Sequence, residues 1–321
     1  MFYTLFINIG SLFLMMLPGY ILIRKNILST SALKDFSHVI VKVLYPCLIF
    51  SSMTRNYTIE GVLESWQLPV AAFIILFVGY IIGLTYNGFF GSTNVESKKS
   101  MLFQFTINNY SFLPLAIIAK LYDESHMAAL ILSTLGSEIT VWTLGMAILN
   151  TKGKRFDIKS LKHLWSPPLV SIYFSLGILL GMHALGTSLN QIVNQHVTFK
   201  YINQTIYELG EACIPLSLIM IGGRMGKINF ADLKSKNLWI VTLFRLIIVP
   251  LAAVLVIKLI FPNHPYQNVM LIVCVMPCAV ASLVLGEIYG GDQKLLSGTV
   301  LITHIVALIT IPAWLMFLIS K

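Results

Sequence analysis

Apolar residues run along this chain in blocks of roughly 18 to 25, separated by short polar stretches from one end to the other. A helix of that length crosses about 30 Å of hydrocarbon at about 1.5 Å per residue. The pattern places ten membrane spans at about 4–23, 36–53, 66–90, 101–120, 127–149, 166–184, 203–222, 238–260, 267–290 and 296–318. No long polar block separates them, so an all-α integral membrane protein without an attached soluble domain is expected. The first block has no charge before it and Arg24 and Lys25 after it. That is the reverse of a cleavable signal peptide, and the block is expected to stay as the first span.

Two of the blocks are interrupted. The fourth reads Asn108-Asn109-Tyr110-Ser111-Phe112-Leu113-Pro114, and the ninth reads Val275-Met276-Pro277-Cys278-Ala279-Val280-Ala281-Ser282. An unpaired amide or freed carbonyl in hydrocarbon costs several kcal/mol, so such breaks are expected only where they line a cavity or are buried in protein. The two prolines are 163 residues apart, and a second pair, Pro46 and Pro215, is 169 apart in the second and seventh blocks. Each half, 1–150 and 151–321, therefore carries five spans with matched prolines. Because five is odd, the second half inserts upside down relative to the first, the inverted repeat typical of secondary transporters. Half-helix amino termini at the breaks favour a small anion. The candidate binding residues are Asn108, Asn109, Tyr110, Ser111 and Pro114 from the first break, and Pro277, Cys278, Ala279, Ala281 and Ser282 from the second. The plainer alternative is that the prolines only kink two packed helices.

Composition agrees with the pattern: 57% of residues are hydrophobic and 11% charged, with a mean hydropathy of +0.82. The formal net charge of +9 does not point to nucleic acid, because fifteen of the 22 lysines and arginines fall on alternate loops. Taken as cytoplasmic by the positive-inside rule, those loops put both termini outside a multi-pass cell membrane, plasma or inner. Cys47, Cys213, Cys274 and Cys278 sit singly in apolar blocks and read as packing residues. The sequence calls for no metal and no cofactor. It has no phosphate-binding GxxxxGK[ST] loop and no nucleophile–base arrangement, so neither ATP-driven transport nor catalysis is expected.

Ionisable residues inside the spans are candidates by default. Lys42 and Glu211 each stand four residues before a repeat proline and have opposite signs. An inverted repeat either pairs such mates as a scaffold lock or sets them on opposite membrane sides, and the sequence is compatible with both. Glu138 and His304, 166 residues apart in corresponding blocks, are read as a proton-carrying or a structural polar pair. Arg245, near the start of the eighth block, is expected to snorkel to the headgroups rather than clamp a substrate. Glu287 is expected at the interface. Gly145, Gly177, Gly181, Gly222 and Gly223 are expected to mark close helix contacts.

The chain resembles the auxin efflux carrier family, which includes plant auxin exporters and bacterial organic-acid carriers. Asn109-Tyr110-Ser111-Phe112-Leu113-Pro114, Met276-Pro277, the run Glu287-Ile288-Tyr289-Gly290-Gly291-Asp292 and Ile311-Pro312 carry the resemblance. It implies that helices four and nine cross at the binding site of a small carboxylate, with Asn109 contacting it and Asn108 adjacent. Ala116 and Ala281 depart from the family pattern, where a second proline and an asparagine are frequent, so the second break is expected to offer backbone more than side chain.

Together these readings predict a secondary carrier for a small mono- or dicarboxylate in an architecture of crossing broken helices. A transport domain of 66–149 and 238–318 would move like an elevator against a scaffold of 4–53 and 166–222 that also forms a homodimer. The competing readings are a cation–proton antiporter of similar architecture and a non-transporting membrane receptor.

Overall fold

The computed structural model of the chain describes residues 2–90, 94–149, 162, 164–228 and 235–319. Most of the basic stretch at 151–163, between the fifth and sixth expected spans, and residues 229–234, between the seventh and eighth, lie outside the described residues. Among the described residues eight helices are long and apolar enough to cross a bilayer. In chain order the elements are α1 (Phe2–Arg24), α2 (Thr30–Asn56), α3 (Ile59–Phe90), α4 (Val95–Thr106), α5 (Phe112–Leu121), α6 (Glu124–Leu149), α7 (Pro167–Ala184), α8 (Leu189–Gln195), α9 (Val197–Gly226), α10 (Lys236–Ile260), α11 (Gln267–Cys274), α12 (Ser282–Tyr289) and α13 (Gln293–Ile319). The fourth and ninth apolar blocks are not continuous helices: each is a pair of short ones, α4 with α5 and α11 with α12, joined by non-helical backbone.

Several helices begin earlier than the apolar pattern alone places them, because polar caps fix their first turns. Ser29 Oγ accepts from Ala32 N at 3.0 Å before α2, and Thr58 Oγ1 accepts from Gly61 N at 3.2 Å before α3. Asn94 Oδ1 takes the N–H groups of Glu96 and Ser97 before α4, and Asp123 Oδ1 takes that of His126 before α6. Each cap satisfies N–H groups that a helix start leaves without partners. The short helix α8, closed by a reciprocal Ser188–Gln191 capping box, lies in a stretch expected to be a loop.

Three long helices contain one wide π-type turn each, at Ile40–Leu44, Val141–Gly145 and Phe244–Ile248. Pro250 follows the third and cannot donate to Leu246 O. The Trp314 indole N–H takes that carbonyl instead, at 2.9 Å. Such wide turns recur at functional sites, and the third one contains Arg245.

The helices pack through glycine. α3 lies along α6 and α4, α1 along the second half of α9, and α2 along α7 and the first half of α9. A Cβ at Gly136 would overlap Pro69 O, one at Gly79 would overlap Phe105 O, and one at Gly222 would overlap Met16 O. Gly222 and Gly223 thus make the close contacts expected of them. A Cβ at Gly145 would lie 3.2 Å from the Phe103 ring, whereas one at Gly177 or Gly181 would meet nothing within 4 Å, and both lie on the exposed face of α7. That pair is a correction: its small residues do not serve helix packing within the chain. Phe73, Phe77 and Ile81 on α3 and Leu251, Leu255 and Leu259 on α10 form outward apolar stripes suited to hydrocarbon.

Gly222→Val is expected to force α1 and α9 apart. Overpacking costs about 1–3 kcal/mol where neighbours can shift, and here the obstacle is backbone. The expected result is a drop of several degrees in the melting temperature of detergent-purified protein. Gly181→Val, which adds its side chain in open space, serves as the control and should melt with the parent chain.

Candidate functional site

The two breaks meet. Residues 107–109 run antiparallel to 277–279, with Asn109 N donating to Pro277 O at 2.8 Å and Ala279 N donating to Ile107 O at 3.4 Å. Two interrupted helices thereby satisfy part of each other's backbone, as buried non-helical backbone must.

The cause of the second break is legible atom by atom. Pro277 has no N–H, so Val273 O lacks its helical partner, and the Asn108 side-chain amide donates to that oxygen at 2.6 Å. Cys278 N donates to Thr303 Oγ1 at 3.3 Å instead of continuing the helix. Gln104 on α4 reaches across to Ser282 Oγ and to Thr299 Oγ1, at 3.2 and 2.7 Å. Asn108, Gln104 and Ser282 are fully buried. They tie the crossing together.

Pro114 is a correction to the matched-proline picture. It sits at the third position of α5, inside a first turn where missing N–H groups are tolerated. The first break therefore comes from the non-helical backbone at Ile107 to Tyr110, where Tyr110 N turns back to Asn108 O at 3.0 Å, and Pro114 follows it.

Beside the crossing is a cavity of 270 Å³ lined by Asn109, Tyr110, Ser111, Phe112, Glu138, Trp142, Arg224, Ala279 and Ala281, among others. The two breaks present unlike surfaces to it. At α12 the first N–H groups are internally used: Ser282, Leu283 and Val284 donate to Ala279, Val280 and Ala281 carbonyls. At α5, Leu115 N is the first amide to find a carbonyl, that of Ser111 at 2.9 Å, and Ser111 makes no side-chain cap. The N–H groups of Ser111, Phe112 and Leu113 thus have no acceptor among the described residues, at the positive end of a helix. Pro114, Pro277, Cys278 and Ser282 are buried behind the cavity and do not line it.

Glu138 and His304 do not touch each other. Each holds one residue of the first break. Tyr110 Oη and Trp142 Nε1 donate to the two Glu138 carboxylate oxygens at 2.9 and 2.8 Å. His304 Nδ1 faces Val300 O at 2.8 Å, which assigns the proton to that nitrogen. Nε2 then accepts from Asn109 Nδ2 at 3.2 Å. An amide NH2 has two donors, and this contact uses one.

Arg245 overturns the snorkelling expectation. It is completely buried, and its guanidinium donates to Phe105 O, Met276 O and Cys274 O at 3.1, 3.2 and 3.4 Å. The reason is geometric: the π-type turn lies opposite the point where α4 and α11 end, and their terminal carbonyls are within hydrogen-bond reach of the guanidinium. Lys42 and Glu211 are exposed and unpaired within the chain, since among the described residues the ion pairs are His126–Asp123 and His183–Glu60. Glu287 is exposed.

Sequence reading missed Arg224, which it counted with a loop because hydropathy falls at Gly222-Gly223. In the structure Arg224 is in the last turn of α9, where it donates to Ser37 Oγ at 3.2 Å. It lines the crossing cavity and also a vestibule of 770 Å³ whose walls carry Lys34, Lys227 and Lys294 against a single carboxylate, Glu287, so that cations outnumber acids there. The two spaces share Ser37, Arg224 and Val284 as a common wall. Cationic walls raise the local concentration of anions and speed their encounter.

Comparison with known proteins gives one family match, described as membrane transport protein, over residues 4–315. The chain is 27% identical over 305 residues to an uncharacterized transporter of Methanocaldococcus jannaschii, covering 94% of each. It is 30% identical to Protein PIN-LIKES 6 of Arabidopsis thaliana over 119 residues, 36% of this chain and 27% of that protein. To Protein PIN-LIKES 1 of the same plant it is 19% identical over 353 residues, 90% of this chain and 73% of the other.

Proposed function

The chain belongs to the membrane transport protein family, the auxin efflux carriers, and from that premise we propose that it is a secondary carrier of small organic anions, binding a mono- or dicarboxylate beside the crossing of its two broken segments. One observation carries the reading: three unpartnered N–H groups at the start of α5 border a cavity that shares a wall with a basic vestibule. Backbone donors at a helix start suit a carboxylate. The cavity, at 270 Å³, lies at the small end of the ~300–1,000 Å³ range of ligand pockets, which favours an acid of few carbons. Asn109 adds its second amide proton and Arg224 the cation on the entry side.

The remaining parts of the proposal are an arrangement of ten spans in two inverted halves, a crossing domain of 66–149 and 238–318 that moves against a scaffold of 4–53 and 166–222, and a homodimer formed through that scaffold in the cell membrane. The vestibule then faces the cytoplasm, where the positive-inside rule puts the basic loops. The cation–proton antiporter is disfavoured because Glu138, the carboxylate at the cavity, is held by two donors. A non-transporting receptor is distinguished by flux.

A thermal-shift panel of acetate, malonate, malate, succinate and indole-3-acetate at 10 mM tests binding. Stabilisation rises as RT ln(1 + [L]/Kd), so at least one acid should raise the melting temperature and chloride should not. Uniform silence across the panel counts against the site. Arg224→Ala is expected to raise the apparent KM for that acid about tenfold in vesicle uptake and to flatten its dependence on ionic strength. An unchanged salt dependence would remove Arg224 from the entry path.

A further inference from the structure

We infer that Arg245 is a built-in coupling cation: its guanidinium fills, permanently and covalently, the place between the two half-helix carboxyl ends where a dissociable monovalent cation would otherwise be required. α4 ends at Thr106 and α11 ends at Cys274. Each helix end carries about half a negative charge, so two converging ends present about one. In carriers built from broken helices, unwound carbonyls and half-helix carboxyl ends coordinate the coupling sodium ion or proton. Here Phe105 O, Cys274 O and Met276 O, one group from the first break and two from the second, all receive the Arg245 guanidinium.

These carbonyls are free for it because the breaks remove their helical partners. Asn109 N, which would bond Phe105 O in a continuous helix, goes to Pro277 O, and Cys278 N, the helical partner of Cys274 O, goes to Thr303. Gly79 brings α3 so close to Phe105 O that a side chain there would overlap it, which seals this carbonyl from lipid. A charge attached to the chain travels with the protein on both the loaded and the empty stroke. It therefore contributes no net cation movement. The anion's own gradient and the membrane potential are left as the driving forces, which deepens the carrier reading and in its flux arm rests on it.

Chemical rescue tests the site without any anion. Purified Arg245→Ala should melt several degrees below the parent chain, and 10 mM guanidinium chloride should recover at least half of that loss. Sodium, potassium and tetramethylammonium chlorides at equal ionic strength should recover much less. The parent chain should move by less than a degree in guanidinium. Failure of guanidinium to outperform tetramethylammonium would overturn the inference. If Arg245→Ala yields no folded protein, Arg245→Lys and Arg245→Met decide. The lysine variant, which keeps the charge, should stay folded, and the methionine variant, which keeps the bulk, should not. Equal stability of the two would contradict a charge role.

The flux arm uses the acid that binds in the thermal panel. Parent vesicles should take it up equally well when sodium and potassium are replaced by N-methylglucamine. Arg245→Ala vesicles should take it up only with guanidinium, and radiolabelled guanidinium should enter with it. A sodium requirement in the parent would overturn the inference. Absent flux for every acid with intact guanidinium rescue would count against the carrier reading and support the cation site.

Discussion

Replacing Asn109 by alanine is expected to weaken anion binding about 10- to 100-fold while leaving the melting temperature within about two degrees of the parent. A hydrogen bond to a charged group contributes about 1.5–3 kcal/mol, and Asn109 has one amide proton to give, the other being held by His304 Nε2. Its backbone contact, from N–H to Pro277 O, survives the substitution. Asn108→Ala should behave in the opposite way. Its amide makes the short bond to the carbonyl that Pro277 deprives of its helical partner, so its loss leaves that buried oxygen with only the 3.4 Å contact from Met276 N and costs about 1–3 kcal/mol of stability. Isothermal titration and thermal melts on the two variants separate the roles. Equal losses of binding and stability in both would make Asn109 a structural amide.

The second large effect concerns the prolines, which are matched in the sequence and unequal in the fold. Pro277→Ala restores an N–H aimed at Val273 O, the oxygen Asn108 now holds, and removes a helix penalty of roughly 3 kcal/mol. That is enough to shift the balance toward a continuous helix by about 100-fold. Uptake is therefore expected to fall at least tenfold. Pro114→Ala only adds an N–H inside the first turn of α5, and uptake should stay within about twofold. Similar losses for both would restore the symmetric picture and remove the structural distinction drawn here.

Sequence pattern located the breaks because their cause is local: two adjacent amides and a proline stand out against an apolar run. It also located Asn108, Asn109, Tyr110, Ser111, Ala279 and Ala281 at the cavity. The partnerships were not legible, since they join residues far apart in the chain. Asn108 serves Val273, 165 residues away, and that register depends on how α4 meets α11. Arg245 was misplaced for the same reason, since hydropathy records its depth and not the carbonyls that converge on it. Arg224 was lost to a boundary: glycines that let α9 approach α1 also lower the hydropathy that marks a span's end. Glu138 and His304, singled out as polar groups within apolar blocks, have Tyr110 and Asn109 as partners, not each other.

Counterflow in proteoliposomes addresses the central claim most directly. Vesicles holding purified protein are preloaded with unlabelled acid identified in the thermal panel and diluted into the radiolabelled acid, with the membrane potential clamped by potassium and valinomycin. The account predicts saturable entry of label above protein-free vesicles. Entry should rise when the outside is made negative, stay unchanged under an imposed proton gradient at fixed substrate charge, and need a roughly 10- to 100-fold higher acid concentration in Asn109→Ala. Label entry equal to that of empty vesicles, or uphill uptake driven by a proton gradient alone and lost in Glu138→Gln with His304→Gln, would contradict it.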